Sequence, residues 1–174
     1  MFILQPTGGP GIGMRVMTHT VPVIARAAFL AGDIVMFDLA NSDGDVSDNL
    51  DDGGDDSGFA NVIDPATAQE AHGFFGVTPG IIADNDEFDV IVASQRVSAL
   101  VHTTGGGSAA AYDELIIDVS VEANALTYDV PGTVALNHKI LGISLGVVTT
   151  PTTPTAGFVA FDGIHGFGSI FLET

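Results

Sequence analysis

The sequence predicts an all-β chain: an antiparallel β-sandwich or a small β-barrel, of the jelly-roll or tulip-like kind, with at most one short helix. Three observations carry that prediction. The 22 glycines and 8 prolines are spread evenly over 174 residues and punctuate short apolar runs, the pattern of many short strands joined by turns. Several runs alternate apolar and polar residues with a period of two. Only one segment carries helix signals. A chain of this length forms one domain and can bury a core without staples. It has no cysteine, which excludes disulfides, thiolate catalysis and Cys-ligated zinc.

Taken in order, residues 1–20 hold the run Gly8-Gly9-Pro10-Gly11-Ile12-Gly13 and read as an extended N-terminal arm. Residues 21–174 read as a single β domain. Its first strand candidate is Asp33–Leu39. An acidic loop follows at 41–58. The one helical segment is Asp64–Gly73, with Asp at the N-cap, Pro at the first helical position and Gly past the end. Strands are expected at Gly73–Thr78, Glu87–Ala93 and Val97–His102. Thr103–Ala111, TTGGGSAAA, reads as a flexible connection. Glu114–Glu122 is the clearest strand, with Leu115, Ile117, Val119 and Val121 on one face. Ala125–Tyr128 follows. Ile140–Val147 repeats the alternation, with Leu141, Ile143, Leu145 and Val147 together. Ala156–Asp162 and Ser169–Leu172 complete the set.

A weak internal repeat runs through this order. Phe75-Gly76-Val77 precedes Phe88-Asp89-Val90-Ile91-Val92 by one turn, and Leu141-Gly142-Ile143 precedes Phe158-Val159-Ala160-Phe161 in the same way. Leu30–Val35 comes before the first pair and Tyr128–Val134 before the second. Either a duplication or ordinary hairpin grammar produces such echoes.

The charge is lopsided: four basic against 22 acidic residues, a net of −18. Phosphate neutralisation needs clustered Lys and Arg, so nucleic acid is excluded as a partner, and so are anionic membranes. No apolar run reaches the roughly 20 residues of a membrane span, and the N-terminus lacks the basic region of a secretory signal. Charged residues are only 15% of the chain, so much of the surface is Gly, Ser, Thr, Asn and Ala, a surface suited to cover by partners. Phe29, Phe37, Phe59, Phe74, Phe75, Phe88, Phe158, Phe161, Phe167 and Phe171 read as core or interface filling. Phe167, between two glycines, is expected to pack within the fold or at a subunit contact.

The acidic loop holds seven aspartates between residues 41 and 56. Asn41, Asp43, Asp45, Asp48, Asp51 and Asp52 offer the oxygens that Ca²⁺ takes on a flexible loop. An EF-hand is excluded, since its frame puts Leu39 and Leu50 at positions that must be acidic. The competing explanation is a solvated loop whose charge keeps the surface soluble. The histidines (His19, His72, His102, His138 and His165) show no metal-ligand spacing. No nucleophile elbow, dinucleotide fingerprint or Walker motif occurs. Asp84 with Asp86, and Asp113 with Glu114, sit in predicted turns, where aspartate forms turns.

Phe29-Leu30-Ala31-Gly32-Asp33-Ile34-Val35, then Gly73-Phe74-Phe75-Gly76-Val77, then Phe88-Asp89-Val90-Ile91-Val92, resembles the decoration (cement, head-stabilising) proteins of tailed-phage capsids. Lys139–Gly146 followed by Gly157–Gly163 resembles the closing hairpin of the same group. The likeness spans residues 25–165 through short motifs, with the acidic loop and residues 103–111 outside the pattern. It implies a non-enzymatic virion protein on the outer capsid surface that stabilises the expanded shell. The major capsid protein is the implied partner, and a homotrimer the implied oligomer. On this reading no cofactor is needed. The arm and its root, Arg15, Val16, Met17 and Arg26, become the capsid contact, with the two arginines facing shell carboxylates. Strand addition to an exposed sheet edge is one route to such attachment, and multivalency on the lattice strengthens it.

The alternative is an extracellular, calcium-dependent binding or adhesion module built on the acidic loop. An all-β hydrolase would need a spatial cluster of His and Asp. A net charge of −18 with a single lysine also suits a salty habitat, although only five of the acids are glutamate.

Overall fold

The computed structural model describes residues 17–38, 60–65, 73–103, 107–120, 122–128, 138–149 and 153–170. It is all-β, and no helix occurs among the described residues. The strands are β1 (Thr18–Ala25), β2 (Ile34–Phe37), β3 (Ala60–Ile63), β4 (Phe75–Val77), β5 (Glu87–Thr103), β6 (Ser108–Ala109), β7 (Glu114–Asp118), β8 (Glu122–Tyr128), β9 (His138–Ser144), β10 (Val148–Thr149), β11 (Thr155–Asp162) and β12 (Gly168–Ile170).

Of the two predicted architectures, the small barrel is the one that forms, and it forms twice. The ring β1–β3–β2–β4–β5 closes because β5 pairs back to β1. The ring β5–β8–β7–β9–β11 closes because β11 pairs back to β5. Closure leaves no free edge within either ring, while β12, paired with β9 alone, and the two-stranded β6–β10 pair lie outside the rings. β5 is long enough to serve both: its first half ends the N-terminal barrel and its second half begins the C-terminal one.

The two rings match in order and orientation, and their registers agree up to a bulge between β7 and β9 after Leu115 that the β2–β4 pair lacks. In each, the first and third strands are parallel, with Ala25 opposite Val62 and Val101 opposite Leu126. Phe37 opposes Val62 as Ile117 opposes Leu126. Val35 opposes Gly76 as Leu115 opposes Gly142. Even the bridge between Phe29 and Ile82 has its counterpart, in Ala109 opposite Val148. The repeat suggested by Phe75–Val77 and Leu141–Ile143 is therefore a repeat of structure. The counterpart of Leu30–Val35, however, is Ala110–Leu115, not Tyr128–Val134.

Inside the N-terminal barrel, Val23, Ala25, Phe29, Val35, Val62, Val90 and Val92 pack together. The C-terminal barrel holds Val97, Ala99, Val101, Leu115, Ile117, Leu126, Leu141, Val159 and Phe161. To that second cluster the outer face of the first barrel adds Ile34, Met36, Phe75 and Val77. β2 and β4 are thus buried on both faces, which is why their sequences are continuously apolar.

Three expectations need correction. Glu87–Ala93 and Val97–His102 are one strand. Its buried positions run 90, 92, 94 and then 97, 99, 101, 103, so the phase changes at Gln95–Arg96. These residues mark a bulge, not a break: the Gln95 N–H donates to the Met17 carbonyl and the Arg96 N–H to Ser94 Oγ. Conversely, Glu114–Glu122 is two elements. The Asp118 carboxylate accepts from the Ser120 N–H (3.0 Å) and hydroxyl (2.6 Å), and this turn reverses the chain into β8. Finally, β1 starts at Thr18 and β6 lies within residues 103–111, so both elements take residues expected to be arm or loop. The helical segment expected at 64–73 falls largely outside the described residues.

Candidate docking surface

The corresponding end of each barrel is built from two chain segments. In the N-terminal barrel these are Leu30–Asp33 and Thr78–Ile81. Asp33 Oδ2 accepts the Leu30 N–H at 2.6 Å, and the Asp33 N–H returns to the Leu30 carbonyl at 3.2 Å. Gly32, at φ +85°, donates to the Thr78 carbonyl, and the Thr78 N–H donates to the Asp33 carbonyl, both at 3.0 Å. The C-terminal barrel repeats this with other residues. Asp113 Oδ2 accepts the Ala110 N–H at 2.6 Å. Tyr112, at φ +73°, donates to the Ser144 carbonyl at 2.7 Å, and the Ser144 N–H donates to Asp113 at 2.9 Å. Each end is therefore a turn clamped by a carboxylate and two cross-strand hydrogen bonds.

What these clamped ends present to solvent is apolar. The four most exposed large hydrophobic side chains among the described residues all lie here: Ile81 (82%), Tyr112 (81%), Val147 (74%) and Leu30 (62%). Ile81 and Val147 occupy equivalent positions, one residue before the bridging Ile82 and Val148. Each follows a glycine, Gly80 or Gly146, beside which a Cβ would meet nothing within 4 Å. Neither internal packing nor a left-handed backbone demands glycine at these two places. A bare backbone next to a projecting aliphatic lets another chain approach closely.

Tyr112 sharpens the point. Its counterpart is Gly32, the residue suited to a positive φ. A tyrosine there carries left-handed strain on the order of 1 kcal/mol and gains almost no burial in return. Sequence reasoning missed both ends. The alternation in Ile140–Val147 placed Leu145 and Val147 on the face of buried Leu141. β9 in fact stops at Ser144, whose hydroxyl donates to the Gly146 carbonyl at 2.6 Å, and beyond it Leu145 and Val147 point outward. The available signal was the doublet Pro79-Gly80-Ile81-Ile82 and Leu145-Gly146-Val147-Val148.

A second exposed region lies at the waist between the barrels. Met17, His19, Gln95, Ala160, Asp162 and Phe167 are among the residues lining an open cavity of about 300 Å³. Phe167 is half exposed here. The Arg96 guanidinium stacks 4.1 Å above the exposed Phe158 ring. Lys139 is buried nearby, with Nζ donating to the Gly163 and Ile164 carbonyls. Burial lowers its pKa, and Asp162 partly offsets the effect.

The sequence-predicted site residues fare differently. Met17 is exposed at the root of β1 and lines the waist cavity. Arg26 is tied into the N-terminal barrel, its guanidinium donating to Asn61 Oδ1 and Asn85 Oδ1, each at 3.0 Å. Arg15 and Val16 lie outside the described residues, as do Asn41, Asp43, Asp45, Asp48, Asp51 and Asp52. Among the described residues no group of three His, Asp or Glu side chains is placed to hold a metal. His165 Nδ1 lies 3.6 Å from Asp162 Oδ2, an isolated contact on the surface.

No protein family and no curated protein matches this chain.

Proposed function

We propose that this chain is a structural virion protein that binds the outer surface of a phage capsid and stabilises its expanded shell, acting without a cofactor and as a homotrimer. The observation that supports this reading best is the placement of its most exposed apolar side chains on two clamped turns. Rigid turns keep Leu30, Ile81, Tyr112 and Val147 in position at little entropic cost on binding, which is what a docking surface needs. The closed rings favour attachment through these side chains over strand addition. The partner is the major capsid protein, and the shape and trimeric state come from the resemblance of residues 25–165 to decoration proteins.

Co-sedimentation with expanded and unexpanded shells tests the proposal. The expected result is saturable binding to the expanded shell alone, lost at neither high nor low salt because the contact is apolar. Absence of binding to either shell overturns it. A rise in melting temperature with millimolar Ca²⁺ in that case moves the assignment to the calcium-dependent adhesion module.

A further inference from the structure

We propose that the two barrel ends are a matched pair of docking knobs, so that one copy of the chain engages the same socket on two neighbouring copies of one partner subunit. The inference rests on the shell-binding reading and adds to it the contact residues and the valency. Its basis is the register. Ile81 and Val147 are not merely two exposed aliphatics; they are the same position of one topology used twice. Around them the ends agree in detail: Gly80 with Gly146, Asp33 with Asp113, and a left-handed residue at 32 and 112.

The occupant follows from chemistry. The side chains Leu30, Ala31, Pro79 and Ile81 on one end, and Ala110, Ala111, Tyr112, Leu145 and Val147 on the other, carry no charge. The two aspartates that clamp the turns direct a carboxylate oxygen at backbone N–H groups. Exposed acids border both apolar patches, Asp84, Asp86 and Glu87 after Ile81 and Glu114 after Tyr112, so the socket that complements each end is apolar at its centre and basic at its rim. Two like knobs call for two like sockets, and a surface assembled from identical subunits supplies them in fixed relation. Occupying both then converts two weak contacts into one strong attachment.

The test titrates the full chain onto expanded shells. It uses Ile81→Ser, Val147→Ser, the double variant, and the milder pair Gly80→Ala and Gly146→Ala. Both positions are exposed, so circular dichroism and melting temperature are expected to stay as in the unmodified chain. Each single serine variant is expected to lower apparent affinity by roughly 100-fold or more, to a common value. The number of copies bound at saturation is expected to rise towards twofold, because a one-knob chain fills one socket instead of two. The double variant is expected not to bind, and each alanine variant to weaken binding through its own end. If the unmodified chain binds and the serine variants match it, or only one end matters, the paired-knob inference falls and the shell-binding reading stands. If the unmodified chain binds no shell, both fall.

Discussion

The two barrels place equivalent positions of one topology under different demands. The N-terminal barrel is filled mainly by valines and closed at one end by Phe29. At the position of Phe29 the C-terminal barrel has Ala109, and its larger core is completed by Ile34, Met36, Phe75 and Val77 from its neighbour. The buried core of the first barrel is therefore its own, with Ile164 packed against it from beyond β11, while the second core is finished by a surface it does not own. The strand order and register fix where side chains point; they do not fix which module a side chain serves.

The largest expected effect comes from breaking that shared surface. Phe75 belongs by sequence to the first barrel and by packing to the second. Phe75→Ala is expected to cost about 3–5 kcal/mol, measured by denaturant unfolding. Because β5 runs through both rings, unfolding should remain one cooperative transition. Two separated transitions would show that the barrels are energetically independent.

A sharper comparison uses the glycines that face each lumen. A Cβ on Gly76 would lie 2.4 Å from Val90 Cγ2, on a short branched side chain. On Gly142 it would lie 3.0 Å from Leu126 Cδ1, the far end of a flexible one. Gly76→Ala is expected to cost about 1–3 kcal/mol through overpacking, and Gly142→Ala clearly less. Equal losses in melting temperature would mean that Val90 yields as easily as Leu126.

The left-handed pair should respond with opposite signs. Gly32→Ala places a side chain at φ +85° and within 3.3 Å of the Leu100 nitrogen, so it destabilises by about 1 kcal/mol or more. Tyr112→Gly relieves the same strain and is expected to stabilise by about 0.5 kcal/mol or less once the added freedom of the unfolded chain is subtracted. A loss of stability there would show that Tyr112 makes a contact stronger than its exposure implies.

The smallest effect is electrostatic. Burial raises the Asp33 carboxyl pKa above 3.8, against the lowering influence of the Leu30 N–H, with Asp64 and Glu122 adding to the rise. Between 3.8 and its folded value, the folded chain holds more proton than the unfolded one. The Asp33 contribution to stability therefore grows as the pH falls through that window and is unfavourable above it. The melting temperature is expected to rise on mild acidification, and Asp33→Asn, which still offers an oxygen to Leu30, should flatten the rise. An unchanged slope would separate Asp33 from it.

Much of this was legible from local chemistry. Phe75-Gly76-Val77 and Leu141-Gly142-Ile143 declared themselves as a repeat, because both glycines face the same crowding inside a barrel. Gly32 and Tyr112 concealed the rest of it, since equivalent backbone is occupied by unlike residues. The docking ends were hidden for a related reason. A run such as Leu141 to Val147 keeps its alternation on paper after the strand has ended at Ser144, and only the hydrogen bonds of Ser144 reveal the end.

By itself the sequence determined an acidic, cysteine-free, all-β chain, the turn chemistry that cuts it into short strands, and an inward face for most of them. Those properties depend on neighbours along the chain. The tertiary structure alone decided that the strands close into two rings, that β5 belongs to both, and that Ile81 and Val147 face solvent while Ile34 and Met36 do not. A period of two says that a strand has an inside. It does not say the inside of what, and at Gln95–Arg96 the answer changes within a single strand.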